Sequence, residues 1–193
     1  MKFIRTHIKD VVIIEPRAHG DDRGYFVETF RQDKLDEFLG FKINFIQDNE
    51  SKSGKGVLRG LHYQLAPAAQ TKLVRVIQGS VLDVAVDIRK GSSTFGLYVA
   101  VELTAQNKKQ LLVPRGFAHG FIVLENDTVF AYKVDNYYSP ENDRGIDFSD
   151  PALHIDWQLE EGQLNLSAKD KVQPLLSDVA DKGLFDSKVD YYA

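Results

Sequence analysis

The sequence lacks cysteine and is poor in histidine, with five histidines in 193 residues. The absence of cysteine excludes a disulfide framework, a thiolate nucleophile, a zinc ribbon and an iron–sulfur site. A metal ion would have to be bound by histidine and carboxylate side chains. Near the N-terminus the longest apolar run, residues 11–14, is too short for a signal peptide or a membrane span. We therefore expect a cytoplasmic protein with no membrane partner.

A basic excess is missing as well. The 24 lysines and arginines are outnumbered by 28 aspartates and glutamates, which gives a formal net charge of −4. General nucleic-acid binders normally carry surplus positive charge, so we expect no nucleic-acid partner. The sequence has no low-complexity linker or fixed-period repeat, and its 43% apolar content suffices for a sizeable core. These features predict a single domain over residues 1–193, in which residues 176–193 form a C-terminal extension on the surface.

Strand patterns dominate the middle of the chain. Residues 81–88 alternate between two faces, one of which carries Asp83. Residues 72–77 are rich in β-branched side chains, and the turn signal Gln78-Gly79-Ser80 predicts a hairpin into residues 81–88. Many short strands separated by turn residues indicate a β-sandwich or barrel. Further strands are predicted at 23–30, 43–49, 57–64, 97–103, 110–113, 119–124 and 128–134.

Helix signals are few and peripheral. Asp33 is a candidate N-cap for a short helix that extends to Leu39 and ends at Gly40. The segment Ser167-Ala168-Lys169-Asp170 resembles a capping box before a second short helix, although aspartate replaces the usual glutamate or glutamine. The expected fold is therefore mainly β, with a few short peripheral helices.

The segment Pro114–Phe121 reads P-x-G-x-x-H. It resembles the second signature of the cupin superfamily, a turn followed by a strand that directs its histidine into a small barrel. The first cupin signature normally supplies two histidines and a glutamate as metal ligands, and at its place this sequence reads His62-Tyr63-Gln64. Glutamine is a poor metal ligand. The resemblance therefore implies a cupin-type jelly-roll barrel whose metal site has been replaced, and we expect no bound metal.

Five segments occur in the order and spacing of one family. They are Asp22-Arg23-Gly24-Tyr25-Phe26, Gln47-Asp48-Asn49, Arg59-Gly60-Leu61-His62-Tyr63-Gln64, Pro114–Phe121 and Ser167-Ala168-Lys169-Asp170. Together they resemble the dTDP-4-dehydrorhamnose 3,5-epimerases of deoxysugar synthesis, from about residue 3 to residue 176. The resemblance implies inversion at C3 and C5 of dTDP-4-dehydro-6-deoxy-D-glucose, a dTDP-4-keto-6-deoxyhexose, to give dTDP-4-dehydro-L-rhamnose. It also implies a homodimer with exchanged N-terminal strands, for which residues 11–14 and 23–30 are candidates.

Such a reaction sets three chemical requirements. The 4-keto group acidifies the hydrogens on C3 and C5, so a base must remove a proton from one face of the sugar and an acid must return one to the other face. A cation or hydrogen-bond donor must stabilise the enolate oxygen. No redox cofactor is needed, and the sequence contains no G-x-G-x-x-G fingerprint and no P-loop. We therefore expect no cofactor.

The resemblance assigns these tasks to particular residues. His62 is the expected base, Asp170 its supporting carboxylate, Tyr132 the acid and Lys72 the cation at the enolate oxygen. Asp83 is expected inside the barrel as a partner of these groups. The expected substrate-binding residues are Arg23, Glu28, Gln47, Asn49, Arg59, His119, Tyr138, Asp143 and Lys169.

Three of the binding assignments have a specific chemical basis. Arg23 and Arg59 match phosphate contacts, because a guanidinium binds phosphate oxygens in a bidentate manner. Tyr138 matches a thymine-stacking aromatic residue. Asp143 stands where the family often has glutamate, and its shorter side chain puts that single contact in question.

Most assignments have an ordinary structural alternative. His62 can be a core histidine bonded to a backbone carbonyl, Asp170 a helix cap and Tyr132 a buried aromatic residue. Arg59 and His62 also have opposite parity on a straight strand. A bulge at Gly60, a role for Arg59 in a neighbouring subunit's site, or an approach from the barrel mouth would each explain a shared site.

Other functions fit parts of the sequence. A 3-only epimerase of a related nucleotide sugar would differ in the orientation of its acid. A metal-dependent cupin enzyme would need three or four good ligands. A non-catalytic sugar-binding barrel would have no need for a histidine, a lysine and a tyrosine together.

Overall fold

Short β-strands make up most of the regular structure in the computed structural model, which describes residues 1–192; Ala193, at the end of the predicted extension, lies outside the described residues. The strands are β1 (Lys2–Arg5), β2 (Val12–Glu15), β3 (Ala18–Asp21), β4 (Gly24–Val27), β5 (Gln47–Ser53), β6 (Val57–Gln64), β7 (Lys72–Gln78), β8 (Ser80–Asp87), β9 (Arg89–Lys90), β10 (Tyr98–Thr104), β11 (Gln110–Val113), β12 (Phe117–Val123), β13 (Thr128–Val134), β14 (Asp143–Gly145), β15 (Asn165–Leu166) and β16 (Phe185–Asp186). The helix α1 spans Gln32–Leu39, and 3₁₀ turns lie at Glu161–Gln163, Asp170–Val172, Leu176–Asp178 and Asp181–Gly183.

Two sheets face each other across the core. The first has the strand order β1-β2-β11-β7-β13-β5, and the second has the order β10-β8-β12-β6-β14, with β15 added to β6. All pairs within the two sheets are antiparallel except β15 with β6. This arrangement confirms the mainly β jelly roll.

Apolar side chains fill three layers around the sheets. Between the sheets, residues such as Val74 and Phe130 of the first sheet pack against Phe121 of the second. Outside the first sheet, α1 buries Leu35 against a cluster that includes Leu73. Outside the second sheet, Leu58 and Leu61 of β6 pack with Leu176 and Phe185 of the C-terminal part of the chain in what we call the outer apolar cluster. The central strands of both sheets are therefore covered on two faces, which explains the continuous burial of β8, β11 and β12.

The predicted hairpin from residues 72–77 into 81–88 is wrong. Strand β7 pairs with β11 and β13, whereas β8 pairs with β10 and β12 in the opposite sheet. The chain turns a corner at Gly79, whose φ is +78° and where a Cβ would lie 2.2 Å from Thr128 Oγ1. The turn signal was recognised correctly, but a turn does not specify which strands pair across it.

The helix predictions hold in position, but the predicted N-cap residue Asp33 does not cap its helix. Helix α1 begins after Arg31, and the carboxylate of Asp33 accepts hydrogen bonds from the Arg31 guanidinium instead of capping the helix. Gly40 ends the helix in the left-handed conformation, as predicted. The capping-box segment leads into the 3₁₀ turn Asp170–Val172, where the Ser167 hydroxyl accepts a hydrogen bond from the Asp170 amide.

The chain termini pack differently. Strand β2 lies between β1 and β11 of its own chain, so residues 11–14 complete this chain's first sheet. The β3–β4 hairpin instead projects with every residue from Ala18 to Phe26 exposed.

The predicted C-terminal extension buries Leu176 and Phe185 against the second sheet. None of the helices formed by residues 1–192 is long and apolar enough to cross a membrane.

A bulge in β6 resolves the parity problem in the sequence. His62 pairs with His119 and Arg59 pairs with Phe121, so two residues of β6 lie opposite the single residue Gly120. Because His119 and Phe121 lie on the same face of β12, Arg59 and His62 are brought to the same face of β6.

The bulge requires glycine at position 60. The φ of Gly60 is +135°, and a Cβ there would lie 2.4 Å from the Cα of Gly120 and 2.9 Å from the carbonyl oxygen of His119. The two strands approach each other too closely at this point for any side chain. Of the three explanations for a site shared by Arg59 and His62, the structure has the bulge at Gly60.

We expect Gly60→Ala to lower the free energy of unfolding by about 3 kcal/mol, because alanine combines an unfavourable φ with a backbone overlap. Chemical denaturation monitored by circular dichroism measures this change. The matched control is Gly54→Ala on the preceding turn, where a Cβ would meet its nearest neighbour at an ordinary 3.6 Å. Equal stability of the two variants would contradict the argument.

Candidate active site

A cavity of about 560 Å³ opens between the two sheets. Seven of the predicted site residues line it: Asn49, Arg59, His62, Lys72, His119, Tyr132 and Asp170. They come from β5, β6, β7, β12 and β13 and from the 3₁₀ turn after Ser167. The jelly roll therefore brings together residues that are more than 120 positions apart in the sequence.

His62 is held by a carboxylate. Its Nε2 lies 2.6 Å from Asp170 Oδ1, and the Ser167 hydroxyl donates to Asp170 Oδ2 at 2.7 Å. Burial disfavours the Asp170 carboxylate, but the hydrogen bonds from His62 and Ser167 outweigh this and hold its pKa below the usual value. An ionised Asp170 accepts a hydrogen bond from Nε2–H of His62, so the lone pair of the neutral imidazole lies on Nδ1. With 29% of its side chain exposed, His62 is accessible from the cavity.

A second histidine–aspartate pair lies beside the first. His119, cross-strand from His62, has its Nε2 3.0 Å from both carboxylate oxygens of Asp83. Both side chains are buried, and burial lowers the pKa of His119 and raises that of Asp83. Asp83 is completely buried beside His119, which lines the cavity, so it is the predicted interior carboxylate and not a water-exposed one.

Lys72 supplies positive charge to the cavity. It stands at the start of β7, and burial lowers its pKa to about 8, against the attraction of Asp83 and Asp143. At neutral pH the ammonium therefore remains mostly protonated.

Tyr132 approaches from the sheet opposite to His62. It lies on β13 of the first sheet, cross-strand from Asn49, whereas His62 lies on β6 of the second. Burial raises the pKa of the Tyr132 phenol, although nearby Arg59 opposes the shift. The phenol is consequently protonated at neutral pH and available as a proton donor.

Three further predicted residues form a cluster on the second-sheet side. The Tyr138 hydroxyl donates to Asp143 Oδ2 at 2.9 Å, and the Lys169 ammonium contacts the same oxygen. Asp143 pairs with Gln64 on β6, and Lys169 directly precedes Asp170. An aspartate at position 143 is thus long enough to contact both the aromatic residue and the lysine.

Six predicted binding residues do not line the cavity: the three of the cluster just described, and also Arg23, Glu28 and Gln47. Arg23 is bonded to Asp21 at the tip of the β3–β4 hairpin, with 89% of its side chain exposed, and Glu28 lies 3.5 Å from Arg31. Gln47 contacts a cavity residue instead, because its side-chain amide donates a hydrogen bond to Asn49 Oδ1 at 2.8 Å.

Gln64, two residues after His62 on β6, does not line the cavity. Its amide donates to the carbonyls of Ala68 and Tyr137, and its oxygen accepts from the Ser139 amide. It therefore ties together two loops rather than pointing into the cavity beside His62.

Several cavity residues were not predicted. Ser51, Phe121 and Phe130 lie two positions from Asn49, His119 and Tyr132 on the same strands, so the two-residue period would have identified them. The other unpredicted lining residues are Glu50, Val57, Leu58, Asn165, Leu166 and Ser167. Asn165 and Leu166 enter through the parallel pairing of β15 with β6, which no local pattern reveals.

Comparison with known proteins places the chain in a family. The family model for dTDP-4-dehydrorhamnose 3,5-epimerase matches residues 5–178. The enzyme of that name from Shigella flexneri is 50% identical over 192 residues, which covers 100% of this chain and 99% of the relative. The chain belongs to the dTDP-4-dehydrorhamnose 3,5-epimerase family. The five sequence segments therefore predicted the family correctly, and the protein is an isomerase by this membership.

Solved structures in this epimerase family have the same fold. A dTDP-6-deoxy-D-glucose-3,5-epimerase from Legionella pneumophila, in complex with dTDP-4-keto-L-rhamnose, is 49% identical with a TM-score of 0.93 and covers 97% of this chain and 99% of that chain. A double mutant of a 3'-monoepimerase from Streptomyces bikiniensis, in complex with dTDP, is 30% identical with a TM-score of 0.87 and covers 94% and 92%. Within residues 1–192 of this epimerase, no group of three or more histidine, aspartate or glutamate side chains is arranged to hold a metal ion.

Proposed function

We propose that this protein inverts C3 and C5 of dTDP-4-dehydro-6-deoxy-D-glucose to give dTDP-4-dehydro-L-rhamnose, with His62 as base, Tyr132 as acid and Lys72 at the enolate oxygen. The observation that carries the proposal is the entry of His62 and Tyr132 into one cavity from opposite sheets. A sugar ring bound between the sheets presents one face to each residue. Epimerisation needs this arrangement, because the proton leaves one face and returns to the other.

The proton balance of one inversion follows from these assignments. The Nδ1 lone pair of His62 takes the proton from the carbon next to the keto group, and the C–H electrons move into the enolate, whose charge rests on O4. The Lys72 ammonium stabilises this oxygen. Tyr132 then donates its phenolic proton to the opposite face of the same carbon. Solvent restores the phenol and removes the extra proton from His62, so the enzyme returns to its starting state.

Asp170 determines which tautomer of the neutral His62 imidazole is present. Its ionised carboxylate selects the tautomer with the proton on Nε2, and it stabilises the imidazolium that forms after proton removal. The Tyr138–Asp143–Lys169 cluster and Arg59 would bind the nucleotide part of the substrate, in keeping with an aromatic surface for the base and cations for the diphosphate.

In D2O the wild-type enzyme is expected to introduce deuterium at both C3 and C5. His62→Ala abolishes this exchange, because no base remains. Tyr132→Phe still exchanges deuterium with retained configuration, since His62 both removes and returns the proton, while inversion falls by about 10²- to 10⁴-fold. Proton NMR and product analysis measure both outcomes. The control is His154→Asn, an exposed position whose φ of 51° tolerates asparagine.

Other results of the same experiment select other functions. Deuterium at C3 without C5 indicates a 3-epimerase, and exchange that is lost on chelation indicates a metal-dependent cupin enzyme. A folded protein that binds the substrate without any exchange is a sugar-binding barrel, and this result would contradict the proposed function.

The pH profile tests Lys72. Because burial lowers its pKa to about 8, the cation is present below this pH and is lost above it. We therefore expect kcat/KM to fall as the pH rises through about 8. Lys72→Met should reduce kcat by about 10²-fold or more and remove this limb of the profile. Lys52→Met, at an exposed lysine of β5, should keep the wild-type profile; persistence of the limb in Lys72→Met would argue against the assignment.

We also propose a homodimer in which the β3–β4 hairpins are exchanged. Tyr25 and Phe26 on the hairpin are 63% and 72% exposed, and a projecting apolar pair of this kind favours burial against a partner. Arg23 does not line this chain's cavity, and within residues 1–192 strand β5 pairs only with β13. A hairpin docked near this edge of the partner's first sheet would place Arg23 at the partner's cavity.

Complementation tests this exchange. Arg23→Ala should raise KM about tenfold, the effect of losing one charge-assisted phosphate contact. Coexpression with the inactive His62→Ala chain should restore sites with the wild-type KM, because the Arg23→Ala chain then receives Arg23 from its partner. Light scattering should give twice the 21.8 kDa chain mass. A monomer, or mixed dimers without any wild-type sites, would disprove the exchange.

A further inference from the structure

The C-terminal residues pack against the strand end that carries Lys72. The phenolic oxygen of Tyr192 lies 2.7 Å from Thr71 Oγ1 and accepts a hydrogen bond from the Arg115 amide at 3.1 Å. Thr71 is completely buried and directly precedes Lys72. The Tyr192 ring packs against the Arg115 guanidinium at 5.1 Å and against Phe41 at 4.9 Å.

Asp135 completes this cluster. Its buried carboxylate accepts a hydrogen bond from the Thr71 amide at 2.6 Å and pairs with the Arg115 guanidinium at 3.1 Å. Arg115 also donates to the Tyr191 carbonyl. The residues therefore form a continuous network of Thr71, Asp135, Arg115 and Tyr192, which we call the tail cluster.

The tail cluster joins three chain segments that supply cavity residues. Lys72 pairs with Val113 of β11 and with Val134 of β13, so the tail cluster lies just beyond this paired row. Strand β13 carries Tyr132, and the turn that contains Arg115 leads into β12. A shift of this end would move Lys72 relative to the other cavity groups.

We propose that Tyr192 is a positioning residue, which fixes Thr71 through its phenol and thereby sets the position of Lys72 in the cavity. This inference rests on the proposed function for Lys72. The family match ends at residue 178, so the tail adds contacts outside the matched pattern. The strand register already holds Lys72 approximately, and the phenol refines its position.

The paired variants Tyr192→Phe and Tyr191→Phe test the inference. Each removes one phenolic oxygen from the tail, but the Tyr191 phenol accepts from the Asp186 amide and its ring packs on Phe185, within the tail itself. Tyr192→Phe should lower kcat about fivefold, the effect of one hydrogen bond, with little change in KM. Tyr191→Phe should retain the wild-type kcat.

The alkaline limb of the pH profile separates positioning from general stability. When the phenol no longer holds Thr71, water reaches the Lys72 ammonium more easily, and its pKa rises from about 8 towards the ordinary value. The limb should therefore move to higher pH in Tyr192→Phe and stay in place in Tyr191→Phe. An unchanged limb together with an unchanged kcat would overturn the proposal.

A double-mutant cycle identifies the hydrogen bond that carries the effect. Thr71→Val removes the hydroxyl that faces Tyr192, so the double variant should lose no more activity than the more impaired single variant. Fully additive losses would show that the two residues act separately and would overturn the proposal.

Backbone amide exchange provides a test that does not depend on catalysis. Amides of residues 71–76 should exchange faster in Tyr192→Phe than in Tyr191→Phe, as measured by mass spectrometry. If wild-type enzyme fails to introduce solvent deuterium into the sugar, the proposed function fails while this measurement still tests the tail cluster. If the wild-type enzyme is active but the two variants have equal amide exchange, the positioning role of Tyr192 is rejected and the proposed function stands.

Discussion

The close approach of two glycine backbones, Gly60 and Gly120, is the constraint on which the site depends. On an unbulged β6, Arg59 and His62 would face opposite sides of the sheet. The bulge instead places Leu58 and Leu61 together in the outer apolar cluster and leaves Arg59 and His62 on the cavity side. The alternative would put a guanidinium into an apolar layer, at a cost of several kcal/mol. The bulge therefore lets β6 contribute leucines to the apolar core and polar side chains to the cavity.

Burial then gives the two histidine–aspartate pairs different chemistry. Asp83 and His119 have little contact with solvent, and burial shifts both pKa values towards the neutral forms. Asp170 is also buried, but its hydrogen bonds from Ser167 and His62 keep the pKa of the carboxylate low. An ionised carboxylate beside a solvent-accessible imidazole can support a positive charge on that ring. This difference favours His62 over His119 as the proposed base, although the two rings lie on neighbouring strands.

The sequence predicted those parts of the fold that local patterns determine. Strands 57–64, 110–113 and 128–134 have their predicted limits, because alternation and turn residues mark both ends. The pairing of β7 was predicted wrongly, since a corner between sheets and a hairpin share the same turn residues. Within the site, five of the seven predicted residues that line the cavity lie in the quoted segments, whereas Lys72 and Tyr132 were assigned only through the family resemblance. The site that Arg23 would contact depends on how copies of the chain associate. The periodicity of a single chain carries no information about that association.

The architecture of two facing sheets matches the demand of the proposed chemistry. Epimerisation through an enolate needs two proton carriers on opposite faces of a flat intermediate, and residues on a single strand would approach from one side. Here His62 belongs to one sheet and Tyr132 to the other, while Lys72 enters from β7, the neighbour of β13. The distance between the sheets then becomes a catalytic variable, because it sets how closely both groups approach the same carbon. Under the proposed mechanism, contacts that hold the strand ends in place would therefore affect reactivity from outside the cavity, as the hydrogen bond between Thr71 and Asp135 beside Lys72 does in the proposal for Tyr192.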